Sequence, residues 1–167
     1  MSLQSARAWV HDGVRQIEYV RAGAGRTVIL LDGSAANGSV SLFTELARDF
    51  RVIQPEGHPA VSDLSWLAGF LDALGMTQVS LVANGEHALA ALRFTLTESD
   101  RVERLAILMS CAADPQDTQP LSDILVDRKQ PLLLIACPEG EPTEEQRQAL
   151  AGFLTRTTTP FSRNGTS

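Results

Sequence analysis

The sequence predicts a three-layer α/β sandwich, in which a mostly parallel sheet carries helices on both faces. Segments with the helical spacing of apolar residues alternate with short apolar runs along the chain. These runs lack polar alternation, which is typical of strands that are covered on both faces. They occupy residues 27–31, 79–83, 104–109 and 132–136. Alternating strands and helices of these lengths favour an open parallel sheet between two helix layers.

The first elements are predicted between residues 9 and 57. Asp12-Gly13 is a strong signal for a two-residue turn, and it lies between Trp9-Val10 and the segment 14–22. A buried strand over 27–31 follows, and the segment 50–57 predicts another strand. A helix between them is indicated by apolar residues at helical spacing: Leu42, Phe43, Leu46 and Ala47.

Helices and strands continue to alternate in the second half of the chain. A helix over 64–74 is predicted, with Ser62 as its N-cap and Gly75 as its stop. The sequence Thr143-Glu-Glu-Gln146 predicts a capping box that opens a last helix, which runs to about Leu154. The strands of this half are predicted at 79–83, 102–109 and 131–136.

Size, composition and charge exclude several classes of protein. The 167 residues fit one domain, predicted over 1–155, with a polar tail over 156–167. The net charge is −6 and the 14 basic residues are scattered, which argues against a nucleic-acid partner. No apolar run approaches the ~20 residues of a membrane span, and no signal-peptide core is present, so a cytoplasmic protein is predicted. Cys111 and Cys137 both follow apolar strands and are predicted to be reduced, half-buried thiols.

Over roughly residues 7–155, the order of these segments resembles the α/β-hydrolase family. The segment 79–92 has the shape of the family's nucleophile elbow, in which an apolar strand runs through a tight turn into a helix. The segment 27–33 resembles the strand that leads to the family's His-Gly oxyanion loop. The polar segment 112–130 takes the place of the helical cap domain of many members, so the resemblance implies a fold without that domain.

The resemblance also implies an incomplete Ser-His-acid triad. Gly85 holds the position of the elbow serine, and glycine has no side chain that attacks a carbonyl. The family's last strand and catalytic histidine are expected to be missing, because little apolar sequence follows Leu154. Only Glu141, or in the alternative Glu139, is a candidate for the acid, and the alignment to the family places the acid only to within one residue. Loss of nucleophile and base costs roughly six orders of magnitude in turnover, so the resemblance implies a pseudoenzyme.

Polar residues at the predicted carboxyl ends of the strands are the candidates for ligand binding, because open α/β sheets place ligands at that edge. They are Asp32, Gly33, His58, Asn84, Glu86 and His87. For four of them, Asp32, His58, Glu86 and His87, the favoured interpretation is that they are solvated loop and helix-start residues, with Glu86 stabilised by the helix dipole. In the alternative, an acid/base or metal-binding group forms from Asp32, His58, Glu86 and His87.

Other features of the elbow depart from the family pattern. Ala83 and His87 replace the two flanking glycines, and the large His87 predicts an opened or tilted turn. Asp32 stands where the oxyanion loop has its histidine. No P-loop ending and no cysteine-histidine spacing for zinc occur, so no cofactor and no metal are predicted.

These observations predict a non-catalytic protein that acts by binding or assembly. Without a further strand, the apolar segment from Leu132 to Ala136 is a sheet edge that must be covered, which predicts a homodimer or a complex with a protein partner. The alternative is a divergent enzyme of the hydrolase or lyase type, which uses residues such as Asp32, His58 and His87. A third hypothesis is a module that binds a small acyl or aromatic ligand in the vestigial pocket.

Overall fold

The computed structural model describes residues 4–32, 40–56, 64–84, 87–110, 130–137 and 142–156. Within these ranges the chain forms a seven-stranded sheet and four helices. The strands are β1 (Ala6–His11), β2 (Gln16–Ala22), β3 (Thr27–Leu31), β4 (Arg51–Glu56), β5 (Val79–Asn84), β6 (Val102–Ser110) and β7 (Leu132–Cys137). The helices are α1 (Val40–Asp49), α2 (Ser65–Ala73), α3 (Ala88–Thr97) and α4 (Glu144–Thr155).

The sheet is mostly parallel, as the sequence predicts. Its strand order is β1-β2-β4-β3-β5-β6-β7. The hairpin of β1 and β2 is antiparallel, and β2 pairs antiparallel with β4. All pairs from β4 to β7 are parallel. The carboxyl ends of these five strands therefore meet at one edge of the sheet.

Helices cover both faces of the sheet, which confirms the predicted three layers. In β3, Ile29 and Leu31 join the apolar cluster that contains residues of α2 and α3. The intervening Val28 and Leu30 join the second cluster, with residues of α1 and α4. Both faces of β3 are thus removed from water, which explains its unbroken apolar sequence.

The β1–β2 hairpin has a longer loop than Asp12-Gly13 predicts. His11 pairs with Gln16, so four residues rather than two form the connection. The Asp12 carboxylate accepts hydrogen bonds from the backbone N–H groups of Arg15 and Val14, both at 2.8 Å. These two hydrogen bonds hold the pKa of the Asp12 carboxyl below its ordinary value. The side chain of Asp12 thus organises a loop that the two-residue turn rule does not anticipate.

Helix α2 ends as predicted but begins differently. Gly75 has a φ of +68°, and its N–H donates to the Asp72 carbonyl at 3.0 Å. Met76 N–H donates to the Leu71 carbonyl at 2.9 Å, which completes a Schellman motif. The prediction of Ser62 as N-cap is wrong, because Leu64 occupies that position and makes no side-chain capping bond. Leu64 is only 4% exposed, so core packing rather than a cap sets the helix start.

Both ends of α4 are tied to the sheet. The predicted capping box is confirmed, since Thr143 and Gln146 each accept a hydrogen bond from the other's backbone N–H. Gln146 Nε2 also donates to the Ala136 carbonyl of β7 at 2.7 Å. At the other end, Arg104 of β6 donates to the Arg156 carbonyl and lies 5.4 Å from the centroid of the Phe153 ring. Helix α4 is therefore held against β6 and β7.

Strand β7 is the sheet edge in the described part of the chain. Its apolar sequence predicts burial on both faces, and this prediction is wrong for one face. Leu134 is 47% exposed and Ala136 is also exposed, whereas Ile135 and Cys137 are buried on the α4 side. Cys137 is a thiol that is buried more deeply than predicted, at 2% exposure, and Cys111 lies outside the described residues.

Candidate functional site

The central parallel strands bring two of the predicted site residues together. Leu31 of β3 lies opposite Ala83 of β5. Asp32 and Asn84 come one residue later in each chain segment, so they occupy neighbouring positions at the carboxyl edge of the sheet. This edge is where open α/β sheets place ligands. The strand pairing thus places Asp32 and Asn84 side by side, and a ligand-binding role for them stays a prediction.

Burial sets Asp32 and His87 apart from ordinary loop residues. Asp32 is 4% exposed and His87 is 0% exposed, while Asn84 is half-buried. The interpretation of Asp32 and His87 as solvated residues is therefore wrong. The physical reason is their position, since β3 and β5 are interior strands with helix layers on both sides. Asp32 directly follows β3, and His87 precedes the first residue of α3, three residues after the end of β5.

The connection from β5 to α3 is short. Strand β5 ends at Asn84 and α3 begins at Ala88, so residues 85–87 make the whole connection. His87 occupies the N-cap position of α3, with φ −84° and ψ −8°, and makes no side-chain capping bond. Its imidazole is instead enclosed at the base of the helix. Strand β5 and helix α3 thus lie on either side of residues 85–86, and the buried His87 precedes the first residue of the helix.

By sequence, no protein-family model and no curated protein matches the chain. By structure, it is similar to a predicted CIB-like hydrolase from Thermoplasma acidophilum, with a TM-score of 0.65 and 11% identity. That match covers 92% of this chain and 99% of the other. The epoxide hydrolase CorEH gives a TM-score of 0.52 at 22% identity, covering 68% of this chain and 46% of the other.

A further solved structure agrees with these two. The 2-hydroxy-6-oxo-6-phenylhexa-2,4-dienoate hydrolase from Rhodococcus sp. strain RHA1 gives a TM-score of 0.52 at 18% identity. The match covers 76% of this chain and 56% of that enzyme. The chain has the α/β-hydrolase fold. It spans about half the length of the epoxide hydrolase and of the Rhodococcus enzyme, and at these identities the likeness is one of fold.

Within the α/β-hydrolase fold, the β5–α3 connection is the place of the nucleophile elbow. Gly85, Glu86 and His87 are the residues of this connection in the sequence. Gly85 and Glu86 lie outside the described residues, so the predicted opening of the turn stays a prediction. The flanking elements establish where Gly85 lies in the fold, because β5 ends directly before it at Asn84 and α3 begins shortly after it at Ala88.

The other predicted site residues fall outside the described ranges. These are Gly33, His58 and the acid candidates Glu141 and Glu139. The alternative acid/base or metal-binding group therefore has two described members, Asp32 and His87. Among the residues that the structure describes, no group of three histidine, cysteine or carboxylate side chains is placed to hold a metal ion. No described helix is long and apolar enough to cross a membrane.

Two arginines to which no sequence motif assigns a role border a cavity at the opposite edge of the sheet. Arg21 of β2 and Arg51 of β4 lie near its amino edge, away from Asp32 and Asn84. The two residues are thirty positions apart in the sequence, and no motif connects them. The pairing of β2 with β4 reveals that the two arginines are neighbours, because both lie on one face of these adjacent strands.

Proposed function

We propose that this chain is a non-catalytic α/β-hydrolase-like protein that acts by binding or assembly. The observation that carries the proposal is Gly85 at the connection between β5 and α3. Acyl transfer on this fold needs a nucleophilic side chain at that connection, and glycine has none. The two residues that complete the connection, Glu86 and His87, do not supply a serine, a cysteine or an aspartate.

The burial of the neighbouring polar residues supports the same proposal. A general acid or base must come within hydrogen-bond reach of the proton that it transfers, about 2.6–3.2 Å between heavy atoms. Asp32 and His87 are enclosed by the core at 4% and 0% exposure, so neither offers a face to a dissolved substrate. In this proposal they are packing and hydrogen-bonding residues of the sheet edge.

Assembly is proposed to occur between two copies of the chain through β7. Its residues are all apolar and Leu134 is 47% exposed, whereas solvent-facing edge strands are ordinarily protected by charges, proline or bulges. Antiparallel pairing of two β7 strands about a two-fold axis presents the same surface from each copy. No charged side chains face each other in such a pair, so like-charge repulsion does not oppose it.

Hydrolysis of p-nitrophenyl butyrate tests the absence of catalysis. We expect the wild-type protein to release p-nitrophenol at the rate of buffer alone, and Asp32→Asn and His87→Gln to leave that rate unchanged. Glu103→Gln is the matched control, because it removes a carboxylate from the amino end of β6. Turnover above background that falls in Asp32→Asn or His87→Gln, but not in Glu103→Gln, would establish the divergent enzyme instead.

A further inference from the structure

A cavity of about 420 Å³ lies at the amino edge of the sheet, beneath the end of α2. It opens on the same sheet face as α2 and at the opposite end from Asp32. Two charged residues and four residues with apolar surface supply most of its wall: Arg21, Arg51, Tyr19, Ile53, Leu74 and Met76. Small-ligand sites commonly have volumes of roughly 300–1,000 Å³, so the cavity is large enough for a small organic molecule.

The strand pairing places both arginines on one face of the sheet. Arg21 of β2 lies opposite Ile53 of β4. Arg51 is two residues from Ile53 along β4, and side chains two positions apart in a strand point to the same face. Arg21 and Arg51 are therefore diagonal neighbours across two strands, where their like charges repel.

Nothing acidic offsets this pair within the described wall of the cavity. The chain has 20 acidic and 14 basic residues, yet none of the described residues that border the cavity is an aspartate or a glutamate. In the described ranges, five other arginines form ion pairs with carboxylates: Arg7, Arg15, Arg26, Arg101 and Arg147. Arg21 and Arg51 form none there, so this cavity is a local positive site on an acidic protein.

The rest of the wall suits the body of an organic anion. Leu74 and Met76, which follow the end of α2, are half-buried and supply the cavity's accessible apolar surface, while Tyr19 and Ile53 form its largely buried inner wall. The Tyr19 ring packs edge-on against Phe70 at 5.6 Å between centroids, which fixes its position in the cavity wall. An aliphatic or aromatic group placed here loses contact with water, while a guanidinium is well suited to hold a carboxylate through paired hydrogen bonds.

We propose that this cavity binds a small organic carboxylate. Its carboxylate group lies between Arg21 and Arg51, and its apolar body lies against Tyr19, Ile53 and the end of α2. The site goes beyond the proposed function, because it lies at the other end of the sheet from Gly85. Its occupancy is therefore independent of whether the carboxyl edge is catalytic.

Titration with sodium hexanoate, followed by NMR of the ¹⁵N-labelled protein, tests the proposal. We expect saturable shifts of the amide signals of Tyr19, Arg21 and Ile53. Hexanol, which has the same chain without the charge, should bind at least about tenfold more weakly, because it cannot form charge-assisted hydrogen bonds with the guanidinium groups. Arg21→Gln and Arg51→Gln should each raise the hexanoate Kd by a similar factor, and both side chains are exposed, so the variants should fold.

Arg7→Gln is the matched control for this titration. Arg7 lies in the neighbouring strand β1, and its side chain is on the opposite face from that of Ala6, which borders the cavity. The variant removes the same charge from the same sheet and should leave the hexanoate Kd unchanged. Equal affinities for hexanoate and hexanol would overturn the proposal, as would an equal loss in Arg7→Gln or the absence of saturable shifts.

Discussion

At the scale of single residues, two glycines with positive φ show how differently a backbone position can depend on glycine. A Cβ atom added to Gly23 would lie 2.0 Å from the Phe50 carbonyl oxygen and 2.4 Å from that of Ala47. The same atom added to Gly75 would meet nothing within 4 Å. Their φ angles, +78° and +68°, are similar. Gly23 therefore carries a packing requirement in addition to the conformational one.

We expect Gly23→Ala to lower the free energy of unfolding by roughly 3 to 5 kcal/mol, because strain of about 1–3 kcal/mol adds to overpacking of similar size. Gly75→Ala should cost only about 1 to 2 kcal/mol, the conformational part alone. Urea denaturation of the two variants beside the wild type measures the difference. Equal losses would show that the close approach of Gly23 to the end of α1 has no energetic consequence.

Residue roles were predictable from the sequence where they depend on local geometry. Gly75 as a helix stop and Thr143 with Gln146 as a capping box are examples, because each acts within four or five residues of itself. The burial of Asp32 and His87 depends on helix layers that come from distant parts of the chain. No local pattern distinguishes an enclosed histidine at a helix start from a solvated one.

At the scale of elements, β7 is the strand whose surroundings differ most from its sequence. Its unbroken apolar run resembles those of β3 and β5, which are buried on both faces. The described part of the chain places it at the end of the sheet, with α4 on one face only. An unbroken apolar run identifies a strand, but the position of that strand in the sheet follows from the order in which the strands pair.

We expect Leu134→Lys to convert a wild-type dimer into a monomer, because it places a desolvated charge in the proposed β7 pairing. Light scattering at micromolar concentration should give twice the 18.0 kDa of the chain for the wild type and that single mass for the variant. Val14→Lys is the control, since Val14 is 81% exposed in the hairpin loop, far from β7 along the sheet. The control should remain dimeric.

Two results would contradict assembly through β7. A wild-type protein that is strictly monomeric and fully stable at micromolar concentration would remove the interface altogether. A Leu134→Lys variant that stays as dimeric as Val14→Lys would place the interface elsewhere on the molecule. Chemical denaturation of each variant shows whether it is folded. We expect both variants to fold, because Leu134 and Val14 are both exposed.

At the scale of the whole molecule, the two edges of the sheet have different characters. The carboxyl edge carries Asp32, Asn84 and the connection with Gly85, and its described polar side chains are largely covered by the core. The amino edge carries the open cavity with Arg21 and Arg51. Among the described residues, two arginines thus border an open cavity at the amino edge, opposite the edge that carries Asp32 and Asn84.

The order of the elements made the fold predictable from the sequence. Alternating strands and helices of ordinary length permit few sheet topologies, and the resemblance to the α/β-hydrolases selects one of them. The amino-edge cavity was not predictable in the same way. Arg21 and Arg51 become neighbours only through the antiparallel pairing of β2 and β4. The sequence around neither residue indicates that pairing.

We propose that the β5–α3 connection has no nucleophile, because Gly85 stands at the elbow position. Intact-mass spectrometry after exposure to a fluorophosphonate, which forms a stable bond with an activated serine, tests it most directly. We predict that the mass of the protein remains unchanged under conditions that fully label an active serine hydrolase. A stoichiometric adduct that maps to a serine at the carboxyl edge of the sheet would contradict the claim.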